Sequence, residues 1–542
     1  MVGLSRSWLH AAAGALLLGQ GAGEQRPAGE PSPPTAAESS GFARTSTSAE
    51  AEGFIEACAA ASPRIARLSL GTSAQGRDLP LVLVAEPPRR TLAEARTGGR
   101  LAVVVVANIH GGEVEGKEAS QILLREFSQG GHAGLLAELV VAFVPNYNPD
   151  GNDAIDRRNR ADQNGPVEGV GQRPNGQGLD LNRDFVKADA PETRGLLAAV
   201  AALDAALVLD LHATDGSFHG YELTYAGAMH PASDPALLRY TAETFLPALR
   251  AAMRERGFET FDYGDFADPE RPERGWFTFD HRPRFSTNYF GLCNRLTLLS
   301  EAYSHEPFEV RVKATREFVL AALRFAAANA GALRELRAAA ARRAAGLAAE
   351  GASLPARGEI AVTRERDPVL VGSCRREADP VTGLERLIDS GESRPVEMPI
   401  HVSFAGRDPV AVPLAWVVAS PTQELEERLA AHGVRSERLA AARRARVRSF
   451  RVSRRVEETR PFQGRRLAKI EGADEERSVE LAAGSLLVRS DQPLARLAFV
   501  LLEPASDDGF ATWGLLGTGI ATDASAGKAP SFPVERVVAW EP

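Results

Sequence analysis

Four uninterrupted apolar runs constrain this chain more than any other feature. Residues 101–107 (LAVVVVA), 139–144 (LVVAFV), 206–211 (ALVLDL) and 296–299 (LTLL) carry almost no polar side chain. A strand with one wet face alternates apolar and polar residues, whereas a strand covered on both faces does not. Helical patterns fill the intervals, at 118–127, 192–203 and 235–256. Strands alternating with helices predict an α/β fold whose sheet has a parallel centre. Ahead of them a helix beginning near residue 51 leads into two extended runs, 64–70 and 79–84. The turn GTSAQGR at 71–77 joins these runs and predicts a hairpin.

The chain has 542 residues. At about 150 residues per domain its length alone suggests three or four domains. Its organisation points to fewer. Arg6, the apolar run from Trp8 to Gly19 and the small residues Gly21 to Gly23 have the three-part form of a secretory signal peptide, placed at 1–23. The run is shorter than the roughly 20 apolar residues of a membrane span. No later stretch qualifies, so no transmembrane segment is expected and export is. Residues 24–50, rich in Pro, Gly, Ser, Thr and Ala, read as a flexible linker. The α/β unit is then assigned to 51–350, closing in an Ala/Arg/Leu helical stretch at 313–349. Beyond it, short extended segments, 495–502 among them, and one helix at 422–432 read as a separate mostly-β, sandwich-like domain at 351–542.

Composition excludes some functions. With 63 basic and 71 acidic residues the net charge is −8, which argues against a general nucleic-acid binder. The Arg-rich stretch 435–455 interleaves Val447, Phe450 and Val452 and reads as a solvated strand face. Cys58, Cys293 and Cys374 are odd in number and lack CxxC spacing. They suggest buried thiols, neither a disulfide framework nor a cysteine metal site.

The chemistry gathers where the apolar runs end. The first runs into Asn108-Ile-His110-Gly-Gly-Glu113, the third into Asp210-Leu-His212, and the fourth into Ser300-Glu301-Ala-Tyr303. Ligands of open α/β sheets collect outside the carboxyl ends of the strands. His110, Glu113 and His212 make a ligand set suited to a catalytic zinc, which usually takes three protein ligands. Glu301 brings a second carboxylate to the same edge. The loop after the second run holds the turn Asn148-Pro-Asp-Gly151 and then Asp180-Leu-Asn182-Arg183-Asp184. A guanidinium beside an amide suits capture of a carboxylate. Asp180 has the chemistry to orient a histidine ligand. Of ten histidines, His110 and His212 are the two that strand ends supply.

This ordered set resembles the zinc carboxypeptidases of the carboxypeptidase A type over about 50–335, as do the G-x-S-x-x-G-R form of 71–77 and Pro191-Glu-Thr193. The resemblance implies an α/β/α sandwich with a mixed, mostly parallel central sheet and one zinc ion held by His110, Glu113 and His212. It implies that Glu301 is the general base, passing a proton from the attacking water to the leaving amine. Asn182 and Arg183 would grip the C-terminal carboxylate of a peptide. Arg157, in the cluster Arg157-Arg158-Asn-Arg160, stands for the family's oxyanion-stabilising arginine, with Arg158 and Arg160 as alternatives. The family's helper tyrosine has no clear counterpart; Tyr289 is nearest among the candidates, as a pocket-lining or packing residue. The segment 281–286 falls where the side-chain pocket is often lined. Its arginines suit either an acidic terminal residue or surface salt bridges.

The expected activity is therefore that of an exported zinc carboxypeptidase acting on free peptides or peptidoglycan stems. Two rivals remain. A deacylase of N-acyl amino acids, resembling the aspartoacylase and succinylglutamate desuccinylase group, shares the HxxE…H site and a DxNR segment. It does not account for NPDG or for the long segment between Asp184 and Asp210. A catalytically silent peptide binder on the same scaffold has no need of Glu301.

Overall fold

The computed structural model describes residues 33–214, 217–378, 383, 385–516 and 532–542. The expected signal peptide at 1–23 lies outside them. The chain forms β1 (Ile65–Thr72), β2 (Asp78–Val84), β3 (Leu101–Ala107), β4 (Leu139–Val144), β5 (Leu207–Thr214), β6 (Leu223–Gly227), β7 (Thr260–Asp262), β8 (Asp265–Phe266), β9 (Trp276–Phe277) and β10 (Leu296–Tyr303). Eight of these make one sheet in the order β1-β2-β4-β3-β5-β10-β6-β7. Its centre, β4-β3-β5-β10, is parallel, and β1, β2 and β6 pair antiparallel beside it. The four apolar runs of the sequence are those four central strands.

Both sheet faces are dry, and alternate residues serve opposite sides. Val103 and Val105 pack with Phe54, Leu123 and Phe318 from the helices Ser48–Ala61, Glu115–Ser128 and Phe308–Ala328. Val104 and Val106 pack with Leu196, Val200 and Phe290 from the helices Pro191–Leu203 and Ser286–Leu292. The result is the expected α/β/α sandwich.

Residues 33–47, expected to be flexible linker, are folded onto the first of these faces. Thr35 caps a short helix, Ala36–Ser39, and Glu38 pairs with Arg125 at 2.5 Å. Thr45 Oγ1, Ser46 N–H and Ser46 Oγ all donate to the buried Glu118 carboxylate, at 2.8, 2.8 and 2.7 Å. Lys117 Nζ, also buried, donates to Ser46 O and Asn152 Oδ1. Composition marks such a stretch as loop, but a buried Lys–Glu pair requires partners for its remaining donors and acceptors, and this stretch supplies them.

The C-terminal region contains β11 (Ser353–Ala361), β12 (Arg364–Ala378), β13 (Glu385–His401), β14 (Ser403–Ala411), β15 (Ala415–Val418), β16 (Glu437–Arg438), β17 (Arg443–Glu457), β18 (Ala468–Leu481), β19 (Leu486–Arg489) and β20 (Val534–Trp540). A single six-stranded sheet, β16-β19-β15-β20-β17-β18, takes the place of the expected sandwich. All its pairings are antiparallel. Trp416, Val418 and Val488 on one face join the same apolar cluster as Phe185, Leu196 and Tyr289. The sheet thus uses the α/β unit as its second layer, and the two regions share a core. Residues 495–502, expected as a strand, form a fully buried helix, Ala495–Leu502. A continuous apolar run does not distinguish the two. β12 and β13 pair further with β9 and β8, so a third sheet crosses from one region to the other.

The arginines of β17 face an acidic strand. Arg451 pairs with Glu475 at 2.5 Å and Arg454 with Glu471 at 3.7 Å, while Val447, Phe450 and Val452 are buried. Cys58 and Cys293 are buried as expected, but Cys374 is exposed on β12 because its strand belongs to an extended ribbon.

His432 sits at the shared core. Its Nδ1 lies 2.8 Å from the Tyr289 hydroxyl and its Nε2 2.9 Å from Val186 O. Burial pushes its pKa down to about 4. The unfolded chain therefore binds the proton first, near pH 6.5, so this contribution to stability is full above pH 6.5 and is lost as pH falls toward 4. Between pH 7 and pH 5 the wild type should lose about 2 kcal/mol more stability than His432→Gln. Denaturant unfolding of both proteins at the two pH values measures this, and equal losses would refute it.

Candidate active site

β3, β5 and β10 deliver their ends to one point. β3 leaves the sheet through Asn108, which adopts a positive φ of 63°, and the chain then turns through His110 to Glu113. Gly111 stands here because the backbone of Gly151 passes so close that a Cβ would lie 2.2 Å from its carbonyl carbon. Gly171 crosses the same spot, where a Cβ would lie 2.2 Å from Gly151 O. The NPDG turn and the glycines after His110 are thus two halves of one close backbone contact. In the parallel pairing of β10 with β5, Glu301 is the register partner of His212.

The three expected ligands come together. One ligand atom from each of His110, Glu113 and His212 lies within 4.8 Å of the others, and all three residues are buried. His110 Nδ1 is 2.9 Å from Glu113 Oε1 and His212 Nδ1 is 2.8 Å from Glu113 Oε2. The far nitrogens face aspartates: His110 Nε2 is 3.0 Å from Asp180 Oδ1, and His212 Nε2 is 3.0 Å from Asp210 Oδ2. The Asp180 hydrogen bond fixes the His110 ring and raises its basicity as a ligand, and Asp210 places negative charge beside His212. Two imidazoles and a carboxylate converging this way fit Zn²⁺. Burial alone would raise the pKa of Glu113, but His110, Arg160 and His212 hold its carboxyl well below the usual range.

Around this centre lies a cavity of about 360 Å³, lined by His110, Glu113, His212 and Glu301, by Asn182 and Arg183, and by Arg173, Tyr263, Phe279, Asp280, Phe285 and Leu299. Asp180 accepts from Asn182 N–H at 2.9 Å and so starts the turn Leu181–Arg183 that presents the next two side chains. Asn182 Oδ1 is taken by Ser286 N–H at 2.9 Å, which leaves its NH₂ as the donor toward the cavity. The Arg183 guanidinium lies 4.0 Å over the Phe285 ring.

Residues 51–269 match the family model for zinc carboxypeptidases. This segment is a zinc carboxypeptidase domain. The chain is accordingly a hydrolase of the metallocarboxypeptidase class. It is 22% identical over 480 residues to carboxypeptidase 2 of Trichophyton equinum, covering 82% of this chain and 79% of that protein. Carboxypeptidase D of Drosophila melanogaster is 31% identical over 176 residues, 30% of this chain and 12% of the relative. Among solved structures, a Pseudomonas aeruginosa metallo-carboxypeptidase in complex with (2-guanidinoethylmercapto)succinic acid overlaps 54% of this chain and 70% of its own. The overlap has a TM-score of 0.40 and 20% identity.

The structure places two of the candidate residues away from this cavity. Arg157 is exposed and does not line the cavity. Arg160 does approach the centre: its Nη1 donates to Glu113 Oε1 at 3.0 Å and its Nη2 to Ala213 O at 2.8 Å. The reversal at Arg160, whose φ is 52°, turns that side chain inward. Arg158 is tied to Asp156 outside. Tyr289 is also away from the cavity, fully buried against Phe185, Phe290 and His432. The tyrosine that does line it is Tyr263, beyond β7, with its ring 5.7 Å from Phe279. Of the two readings for Tyr289, packing and pocket lining, the structure shows packing: it lies on the helix Ser286–Leu292 and fills that helix's core face. Arg173 was missed because it belongs to no motif; its Nε donates to Asp180 Oδ2 at 2.9 Å. His219 packs among Tyr303, Tyr221 and Trp276, and His281 against Asp507. Of the arginines expected at a surface or in the pocket, Arg282 pairs with Asp280 and Arg284 is buried.

The two arginines separate experimentally. Arg160→Ala should lower kcat on a peptide substrate by about 10²–10³-fold, the scale for loss of one transition-state donor. Arg157→Ala should stay within about twofold of wild type. Steady-state kinetics of both variants decides between them.

Proposed function

We propose that this chain is an exported zinc carboxypeptidase that releases the C-terminal residue of peptides or of peptidoglycan stems. Export rests on the leader-like sequence at 1–23. Among the described residues, no helix is long and apolar enough to cross a membrane. The observation that carries the catalytic reading is the meeting of the His110–Glu113–His212 group, Glu301 and the Asn182–Arg183 pair on one cavity of about 360 Å³.

Each side chain has a part matched to its chemistry. Asn182 NH₂ and the Arg183 guanidinium hold the terminal carboxylate of the substrate, which admits only a chain end. The terminal side chain enters the wall formed by Phe279, Asp280, Phe285 and Leu299. Bound at His110, Glu113 and His212, zinc supplies Lewis acidity that polarises the scissile carbonyl and eases deprotonation of water. Glu301 takes the proton from the attacking water as the C–O bond forms. It then delivers that proton to the amine nitrogen as the C–N bond breaks. Arg173 at the cavity wall, with Arg160 behind it on Glu113, supplies positive charge near the carbonyl oxygen as that oxygen becomes anionic. Tyr263 supplies a hydroxyl at the same cavity.

Glu301→Gln should keep stoichiometric zinc and lose about 10²–10⁴-fold in kcat, the usual range for a positioned general base. Mass spectrometry of a peptide set differing only in the last residue, with and without a chelator, tests the reaction. Loss of one terminal residue, abolished by the chelator and by amidation of the C-terminus, is the expected result. Cleavage of N-acyl amino acids alone would establish the deacylase reading, and zinc binding without turnover the silent binder.

A further inference from the structure

The wall that receives the terminal side chain has little structure of its own. Phe279, Asp280 and Phe285 lie between β9, two residues long, and the helix Ser286–Leu292. From the catalytic side this stretch is held by Asn288 Nδ2, which donates to Asp280 O at 2.9 Å, and by Ser286 N–H on Asn182. The C-terminal region holds it from the other side. Thr278 N–H donates to His401 O at 2.9 Å, and His281 Nε2 lies 3.1 Å from Asp507 Oδ2. The strongest attachment is Arg284. Its backbone N–H donates to Asp508 Oδ2 at 2.9 Å, and its Nε and Nη2 donate to Asp508 Oδ1 at 3.0 and 2.5 Å. Trp513 Nε1 donates to the same oxygen at 2.9 Å. The guanidinium stands 4.8 Å from the centroid of the Trp513 ring and 5.4 Å from that of Phe462. Asp508 is fully buried and Arg284 is 3% exposed.

A desolvated ion pair with an aromatic stack on the cation is geometrically specific, because neither partner finds an alternative without leaving a charge unpaired. The same region also reaches the loop that would grip the substrate carboxylate. Gln463 Oε1 accepts from Asp180 N–H at 2.7 Å, and Arg465 forks onto Asp189 at 2.7 Å. Neither Asp508 nor Arg284 lines the cavity. We propose that Asp508 and Arg284 are positioning residues through which the C-terminal region sets the shape of the terminal-residue pocket. The region is then half of the substrate site. This inference rests on the carboxypeptidase reading above. It assigns a residue more than 200 positions beyond Glu301 to substrate selection.

The test uses the full chain with Asp508→Asn, which keeps the shape and removes the charge. KM for a cleaved peptide should rise about tenfold with kcat within about twofold of wild type. Relative rates across terminal residues should change. Amide exchange across 276–286 should accelerate by about tenfold while that of β5 stays constant. Val447→Ala, in a separate apolar cluster of the C-terminal sheet, controls for general destabilisation and should alter neither readout. If Asp508→Asn does not fold, Arg284→Lys keeps the charge, loses the fork and carries the same readouts. Unchanged exchange across 276–286, or faster exchange with unchanged KM and terminal-residue preference, overturns the proposal. A wild type without peptidase activity counts against the carboxypeptidase reading alone, since exchange is measured without substrate.

Discussion

Everything at the catalytic centre depends on the register of three parallel strands. β3 and β10 flank β5, with Ala107 opposite Leu211 and Glu301 opposite His212. Side chains alternate along a strand, so a slip of one residue would turn Glu301 to the other face of the sheet. What prevents the slip is the burial of both faces, because each valine of β3 already has a cluster to fill. The same alternation sets Asp210 two residues before His212, on the same side, where it stands behind the ring. The apolar packing and the polar site are therefore one specification.

This explains which parts were legible in the sequence. His110, Glu113, His212 and Glu301 were readable because they sit where long apolar runs stop, and a run that stops identifies a strand end. Asp180, Asn182 and Arg183 were readable through a compact motif that caps its own turn. The choice of Arg160 among three neighbouring arginines, and Tyr263, were not. Each depends on a local reversal of the backbone or on a loop beyond an edge strand, which neither periodicity nor spacing encodes. Arg157 falls on the exposed side of its loop, and Tyr289 takes the packing one of its two readings. The C-terminal region misled for a related reason. Its strands were visible in outline, but the identity of the layer they pack against is not written in their own alternation.

That shared layer changes how the two regions relate. A domain with its own core is joined to a neighbour by a polar, adjustable surface. Here Trp416 and Val488 lie in one apolar cluster with Phe185 and Tyr289, and a third sheet pairs β13 with β9. Relative motion of the regions would open apolar surface and break strand pairing at once. The cleft is thus framed by rigid contacts on the side where its wall is least regular.

The fold of residues 33–47 bears on where the chain tolerates a cut. Glu118 is buried and takes three hydrogen bonds from Thr45 and Ser46, while the neighbouring Lys117 leans on Ser46 O. Any protease that trims the chain from this end has a limit set by this pair. A cut before Thr45 leaves the carboxylate solvated by its own chain; a cut after Ser46 removes three of its donors inside the helix layer that backs the sheet, leaving Lys117 and Gln121. The N-terminal limit of the folded unit is in this sense written by a glutamate some seventy residues downstream.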